Sequence, residues 1–153
     1  MRHHKAKMLP LGSVSEGTLR PEDVVPELFS LADEVRMSRA DRYRVRTLRA
    51  EWDKMDREEW AAGTDSDIWS DVSDILESYA PPFCYVGSIE GDGADIGVWL
   101  SQDSLDMAVA DGEVWREVDG EKMPASASYR LSVSDHGNCT LYTRRGRKVW
   151  GIV

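Results

Sequence analysis

The chain has 153 residues, of which 28 are acidic and 19 basic, giving a formal net charge of −9 at pH 7. This length suits one domain with a hydrophobic core and leaves little room for a second. No apolar run approaches the roughly 18 residues that span a membrane, and none follows the basic start Met1–Lys5, so we predict a cytoplasmic protein without membrane contact or signal peptide.

The negative charge is concentrated in the middle of the sequence. Residues 1–60 carry twelve basic and twelve acidic side chains, residues 61–120 carry one and fourteen, and residues 121–153 carry six and two. Such asymmetry affects association rates and the choice of partner, whereas it carries no information about the fold.

Residues 1–17 show no periodicity and are predicted to form a flexible N-terminal arm. Residues 18–153 are predicted to form a single α+β domain, because helical patterns occupy the first half and strand patterns the second. We expect three N-terminal helices packed on one face of an antiparallel sheet of about five strands. His3 and His4 lie in the arm and take no part in this prediction.

The first predicted helix starts near Pro21, since proline is favoured in a first helical turn. Its apolar face recurs at i, i+4, i+7 and i+11, in Val24, Leu28, Leu31 and Val35. Pro26 lies inside this pattern. Either the main helix therefore starts near Pro26 or the helix is kinked there.

The second predicted helix begins at a capping box of Ser38 and Asp41 and runs to about Trp60, with Gly63 ending it. Its apolar stripe consists of Val45, Leu48, Trp52 and Met55. Arginines at i, i+3, i+7 and i+10 share one flank: Arg39, Arg42, Arg46 and Arg49. This flank could follow the phosphates of a nucleic acid. We favour pairing with nearby acidic side chains, which is commoner on a helix surface.

A third helix is predicted after a cap at Thr64 or Asp65. Its inner stripe consists of Ile68, Val72, Ile75 and Tyr79, widened by Trp69 and Leu76. The opposite face carries an acidic row at i, i+4 and i+7: Asp67, Asp71 and Asp74. Rows of carboxylates can imitate a phosphate backbone and occupy the nucleic-acid groove of another protein, with charge complementarity raising the association rate.

A β-hairpin is predicted after Pro81 and Pro82, which end the helical half. Phe83–Ile89 is rich in β-branched and aromatic residues, and Ala94–Leu100 alternates between apolar and polar. Three acidic side chains surround the glycine-rich turn: Glu90, Asp92 and Asp95. Their number and spacing fall short of a calcium loop, so we predict no metal and assign this tip to the acidic partner-binding surface.

Beyond the hairpin, we predict a short helix within Ser101–Asp111 and a meander of strands. The strands are Glu113–Val118, Tyr129–Val133, Cys139–Thr143 and Lys148–Val153. The turn before the last strand holds a basic cluster, Arg144–Lys148. It could extend a phosphate-binding surface or protect an edge strand against aggregation.

The catalytic hypothesis centres on His136, the only histidine outside the N-terminal arm, which lies in the turn before Cys139. A nucleophile pair would need Cys84 or Cys139 beside this histidine, and no hydrolase signature is present. We therefore predict no catalytic residues and no cofactor, with both cysteines as buried free thiols. The six tryptophans are expected mostly in the core, and an exposed one would be the best binding anchor.

Three stretches carry a resemblance: TLRPEDVVPEL, APPFCYVGSIEGDGADIGVW and SDHGNCTLYTRRGRKVWGIV. Together they resemble a family of small uncharacterised proteins encoded by bacteriophages and related bacterial genomes. The resemblance extends over roughly residues 17–153, with its strongest motif in the hairpin. It implies a phage or mobile-element origin and brings no catalytic residues.

The predicted function is that of a non-enzymatic interaction protein. It would bind a host protein in the host cytoplasm through the acidic surface of the third helix and the hairpin tip. One alternative is a nucleic-acid-binding module that uses the arginines from Arg39 to Arg49. Another is a small hydrolase or metal-dependent enzyme at the hairpin tip and His136.

Overall fold

The computed structural model of the chain describes residues 5–56, 58 and 65–153. They form an α+β protein, as the sequence predicted. The helices are α1 (Pro21–Glu34), α2 (Arg39–Lys54), α3 (Asp65–Glu77) and α4 (Gln102–Ala110). The strands are β1 (Gly12–Ser15), β2 (Cys84–Ile89), β3 (Asp92–Leu100), β4 (Val114–Arg116), β5 (Tyr129–Val133), β6 (Cys139–Thr143) and β7 (Lys148–Ile152). Predictions for His3, His4, Trp60, Gly63 and Thr64 lie outside the described residues.

The described residues group into two compact units, whereas the sequence predicted one domain. The first unit holds the residues up to Ala80 together with Tyr85–Trp99, and the second holds Pro81–Cys84 with Leu100–Val153. The predicted single sheet of about five strands is replaced by two sheets. One has the order β1-β3-β2 and the other the order β4-β5-β6-β7. One strand of the first sheet, β1, comes from a segment without a strand pattern in the sequence.

The first unit is built around α1, which packs against α2, α3 and β1. The predicted apolar faces are buried: Val24 and Leu28 on α1, Val35 just after it and Val72 on α3 are inaccessible to solvent. α1 is a single helix that begins at Pro21 and continues through Pro26. An apolar stripe that packs against several neighbours outweighs the hydrogen bond lost at one proline.

Strand β1 lies within residues 1–17, which the sequence predicted to form a flexible arm. It pairs antiparallel with β3, and the preceding Leu9 is buried. Gly97 makes this pairing possible, since a Cβ there would collide with the backbone oxygen of Gly12. A strand of four residues is too short for its alternation to be distinguished from a loop in the sequence.

Helix α2 ends at Lys54, well before the predicted end near Trp60. Met55 is extended, and its N–H donates to the carbonyl oxygen of Trp52 at 3.1 Å. No glycine or proline marks this end, so it could not be predicted from the local sequence. At the start, the Ser38 hydroxyl accepts from the Asp41 N–H, but the Asp41 carboxylate leaves the predicted capping box incomplete and accepts from Tyr79 instead.

In the second unit, α4 packs against β4, and Leu105 and Ala108 of α4 are buried. Strands β5, β6 and β7 form the predicted antiparallel meander. β4 instead pairs with β5 in parallel, so this sheet is mixed and not antiparallel. The connection over residues 117–128 is long enough to carry the chain back for a parallel pairing.

Candidate functional site

The acidic row of α3, which consists of Asp67, Asp71 and Asp74, faces solvent. It does so because Ile68 and Val72 and their neighbours along the stripe are buried on the opposite side of the helix. Within the described part of the chain, no ion pair or side-chain hydrogen bond engages any carboxylate of the row. The row is therefore fixed in space by the helix and open to a partner.

A hydrogen-bonded cluster holds α3 against the start of α2. The Tyr79 hydroxyl, just beyond α3, donates to the Asp41 carboxylate at 2.6 Å and accepts from the Ser38 backbone N–H at 2.9 Å. The bond from Tyr79 is the main cause that lowers the pKa of Asp41, with smaller contributions from Ser38 and Arg44. This cluster ties the helix that carries the acidic row to its neighbour.

The hairpin tip is less open than the α3 row. Its turn is the pair Glu90 and Gly91, and Gly91 has a φ of +89°, which favours glycine. The Asp92 carboxylate accepts from the Ala94 N–H at 3.1 Å, and Asp95 accepts from the Ser13 hydroxyl at 2.5 Å. Two of the three predicted acids thus support the hairpin and its pairing with β1.

The tip and the row are held by different neighbours. α3 packs against α1 and α2, whereas Asp95 of the hairpin is bound to Ser13 of β1. The described residues also contain no group of three or more potential metal ligands.

The arginine flank of α2 divides into two pairs. Arg42 donates to the carbonyl oxygens of Ala32 and Val35, at 3.1 and 2.8 Å, and so caps the end of α1. Arg49 forms a two-point ion pair with Asp33 and lies over the ring of Phe29, 5.2 Å from its centre. These two arginines serve the fold, through partners on α1.

Arg39 and Arg46 differ, because both are exposed and neither pairs with a described residue. Between them lies Tyr43, whose residue surface is 67 % exposed. Every tryptophan that the structure describes is buried or half-buried, while Trp60 lies outside the described residues. The exposed aromatic residue on this surface is therefore a tyrosine, Tyr43, and not one of the tryptophans that the sequence suggested as anchors.

The cysteines and His136 form no nucleophile pair among the described residues. Both cysteines are free and half-buried, and their thiols lie 3.5–3.6 Å from backbone oxygens of Pro82 and Gly137. Burial raises the pKa of the Cys84 thiol to about 12, so its reactive thiolate form is disfavoured at neutral pH. His136 is exposed in the turn between β5 and β6.

Two cavities include residues that the sequence did not single out. One, of about 320 Å³, lies between β1 and α1 and is lined in part by Glu27 and Glu34. It depends on β1, which the sequence did not predict. The other, of about 530 Å³, lies beside the turn between β6 and β7 and is lined by arginines of the basic cluster.

Comparison with known proteins identifies no relative of this chain. No family model matches it, and no curated protein and no solved structure shows significant similarity. Among the described residues, no helix has the length and apolar character to cross a membrane. Function is therefore inferred from the surfaces of the chain itself.

Proposed function

We propose that this chain is a non-enzymatic interaction protein of phage or mobile-element type that binds a basic surface of a host protein. The acidic row of α3 carries the proposal, because its three carboxylates are exposed and no described residue neutralises them. Like charges at i, i+4 destabilise a helix by a few tenths of a kcal/mol per pair. A basic partner would remove this repulsion on binding.

The distribution of charge between the units supports a basic partner. Counted over the sequence, the first unit has 20 acidic and 12 basic residues, and the second has eight and seven. Nearly all of the net charge of −9 therefore belongs to the unit that carries the row. Such a field raises the rate of encounter with a basic surface and repels acidic competitors. Glu27 and Glu34, beside the cavity at β1, belong to the same unit.

The origin and location of the protein are part of the proposal. The sequence resemblance supports a phage or mobile-element origin, and the two free cysteines suit the reducing cytoplasm of a host cell. The row extends over eight residues of helix, or about 10 Å from first to last, which is a rigid strip of negative charge. A nucleic-acid-binding host protein offers the complementary feature, a groove of basic side chains.

The proposal is tested by capture from host lysate with the triple variant D67N/D71N/D74N. We expect at least a tenfold loss of the captured partner, since three charges are removed without a change of shape. The matched control is D103N/D106N/D119N, which removes three exposed carboxylates from the second unit. It should retain capture. Unchanged capture by the α3 variant would refute the proposal.

A second candidate function is the binding of single-stranded nucleic acid by the outer face of α2. Tyr43 favours it, because an aromatic residue with 67 % of its surface exposed offers a stacking platform between two unpaired arginines. The candidate now depends on Arg39 and Arg46 alone, since Arg42 and Arg49 contact α1.

This candidate predicts a weak, salt-dependent affinity for an unstructured oligonucleotide. Two phosphate contacts should give a slope of about 1.4 log units of affinity per log unit of salt. Y43A should lower the affinity by about tenfold or more, as expected for the loss of one stacked base. Retention of full affinity by Y43A would exclude this face of α2.

A further inference from the structure

The cavity beside the turn between β6 and β7 has the composition of an anion site. It lies wholly within the second unit and measures about 530 Å³. Its lining residues are Ser128, Tyr129, Thr143, Arg144, Arg145 and Arg147. Three arginines and three residues with hydroxyl groups thus line one cavity, and no acidic residue is among its lining residues.

Hydrogen bonds fix the wall of this cavity before any ligand binds. Arg144 donates from one guanidinium nitrogen to the carbonyl oxygens of Pro124 and Ala127, both at 2.8 Å. Its backbone N–H donates to the carbonyl oxygen of Ser128 at 3.1 Å, which joins the two sides of the cavity. Arg144 therefore holds the shape of the site, with less of its hydrogen-bonding capacity left for a ligand.

The turn itself is equally constrained. The Arg147 N–H donates to the Thr143 hydroxyl at 3.1 Å, and the Gly146 N–H donates to the Thr143 carbonyl oxygen at 2.9 Å. Gly146 has a φ of +89°, a conformation that glycine adopts without strain. The backbone positions of Arg145 and Arg147 are set by this turn, so less ordering is needed when a ligand binds.

Arg145 and Arg147 are the groups available to a ligand. Both residues are exposed, and neither guanidinium group forms an ion pair or a hydrogen bond with a described residue. Three like charges around one cavity repel each other, and an anion bound among them would relieve that repulsion. Arginine presents planar pairs of donors that match phosphate oxygens two at a time.

We propose that this cavity binds the phosphate monoester of a nucleotide-sized ligand. A monoester carries a charge of about −1.5 to −2 and three strong acceptor oxygens, which suits several guanidinium and hydroxyl donors better than a carboxylate does. The volume falls within the range of small-molecule sites and exceeds what one phosphate group fills. The remaining space is bordered by Tyr129. The site uses other residues and another unit than the acidic row, so either proposal can fail alone.

The test is calorimetric titration of the full chain with inorganic phosphate, the four common nucleoside monophosphates, adenosine and a short single-stranded oligonucleotide. We expect at least one monophosphate to bind about tenfold more tightly than inorganic phosphate, and adenosine not to bind. Failure of every monophosphate to bind would overturn the proposal. Binding of the oligonucleotide alone would also overturn it, since that result indicates a nucleic-acid surface.

Variants locate the site. R145Q and R147Q should each lower the affinity for the monophosphate by about tenfold or more, because each variant loses a charge-assisted hydrogen bond. The control R116Q/K122Q removes two exposed positive charges of the same unit outside the cavity and should stay within twofold of the wild type. An equal loss in the control would show non-specific charge attraction and refute the site. Unchanged thermal unfolding would establish that each variant is folded.

Discussion

The arginine flank of α2 and the acidic row of α3 are two charged stripes of one compact unit, and their surroundings differ. Both follow helical spacing opposite a buried face, and both were candidate sites from the sequence. In the structure, Arg42 and Arg49 bind groups on α1, while no described residue pairs with the α3 carboxylates. Periodicity therefore identifies a stripe, but the surroundings decide whether that stripe remains available.

Side-chain length explains much of this difference. An arginine carries its guanidinium on a long flexible stem, so Arg42 can reach the backbone of a neighbouring helix. α1 offers such a target because its last turn has no basic residue of its own and leaves carbonyl groups to be satisfied. An aspartate holds its carboxylate close to the backbone, so it stays where the helix places it.

The largest expected effect comes from breaking the contact between α2 and the end of α1. R42A would leave the carbonyl groups of Ala32 and Val35, both on buried residues, without their donor. We expect a loss of about 2–3 kcal/mol in the free energy of unfolding, measured with urea. R46A removes an exposed arginine from the same helix and should change stability by less than about 0.5 kcal/mol. Equal losses would contradict the division of the flank.

Much of the helical architecture could be predicted because it depends on short-range patterns. The faces of α1 and α3 follow from apolar residues three and four positions apart, and the hairpin of β2 and β3 from flanking prolines and a glycine turn. The exposure of Asp67, Asp71 and Asp74 follows from the same periodicity. These features need no information about distant parts of the chain.

The remaining features depend on contacts between residues far apart in the sequence. The partner of Asp41 is Tyr79, 38 positions away, so the intended capping box gave no sign of it. The pairing of β1 with β3 depends on Gly97, and the parallel register of β4 on a long return loop. The arginine cavity forms only when Ser128, at the start of β5, meets the turn after β6. The local propensities of these segments do not determine such long-range contacts.

The contact between Asp41 and Tyr79 predicts a smaller, pH-dependent effect on the link between α2 and α3. We expect D41N to lower the free energy of unfolding by about 1 kcal/mol at pH 7, since it loses a hydrogen bond to a charged group. The pKa of Asp41 is lowered in the folded protein. Its stabilisation is therefore full above the unfolded pKa, near 3.9, and is lost as pH falls through the folded pKa. A difference that persists undiminished at low pH would assign the effect to packing.

The smallest expected effect concerns the acidic row itself and separates a free surface from one that serves the fold. Asp71 and Asp74 lie three residues apart and repel each other as like charges, and Asp67 adds to this repulsion. D71N/D74N should therefore raise the free energy of unfolding by about 0.5 kcal/mol at low salt. Asp67 lies in the first turn of α3, where the helix dipole favours a carboxylate, so D67N alone should lower it by a few tenths of a kcal/mol.

Salt gives the decisive control for this pair of variants. The repulsion acts between exposed groups. At 1 M salt the Debye length is only about 3 Å, so the gain in stability from D71N/D74N should largely disappear. A loss of stability in D71N/D74N at low salt would mean that a basic group already neutralises the row. The acidic row would then stabilise the fold, as Arg42 and Arg49 do. The proposal that the row binds a host protein would be refuted.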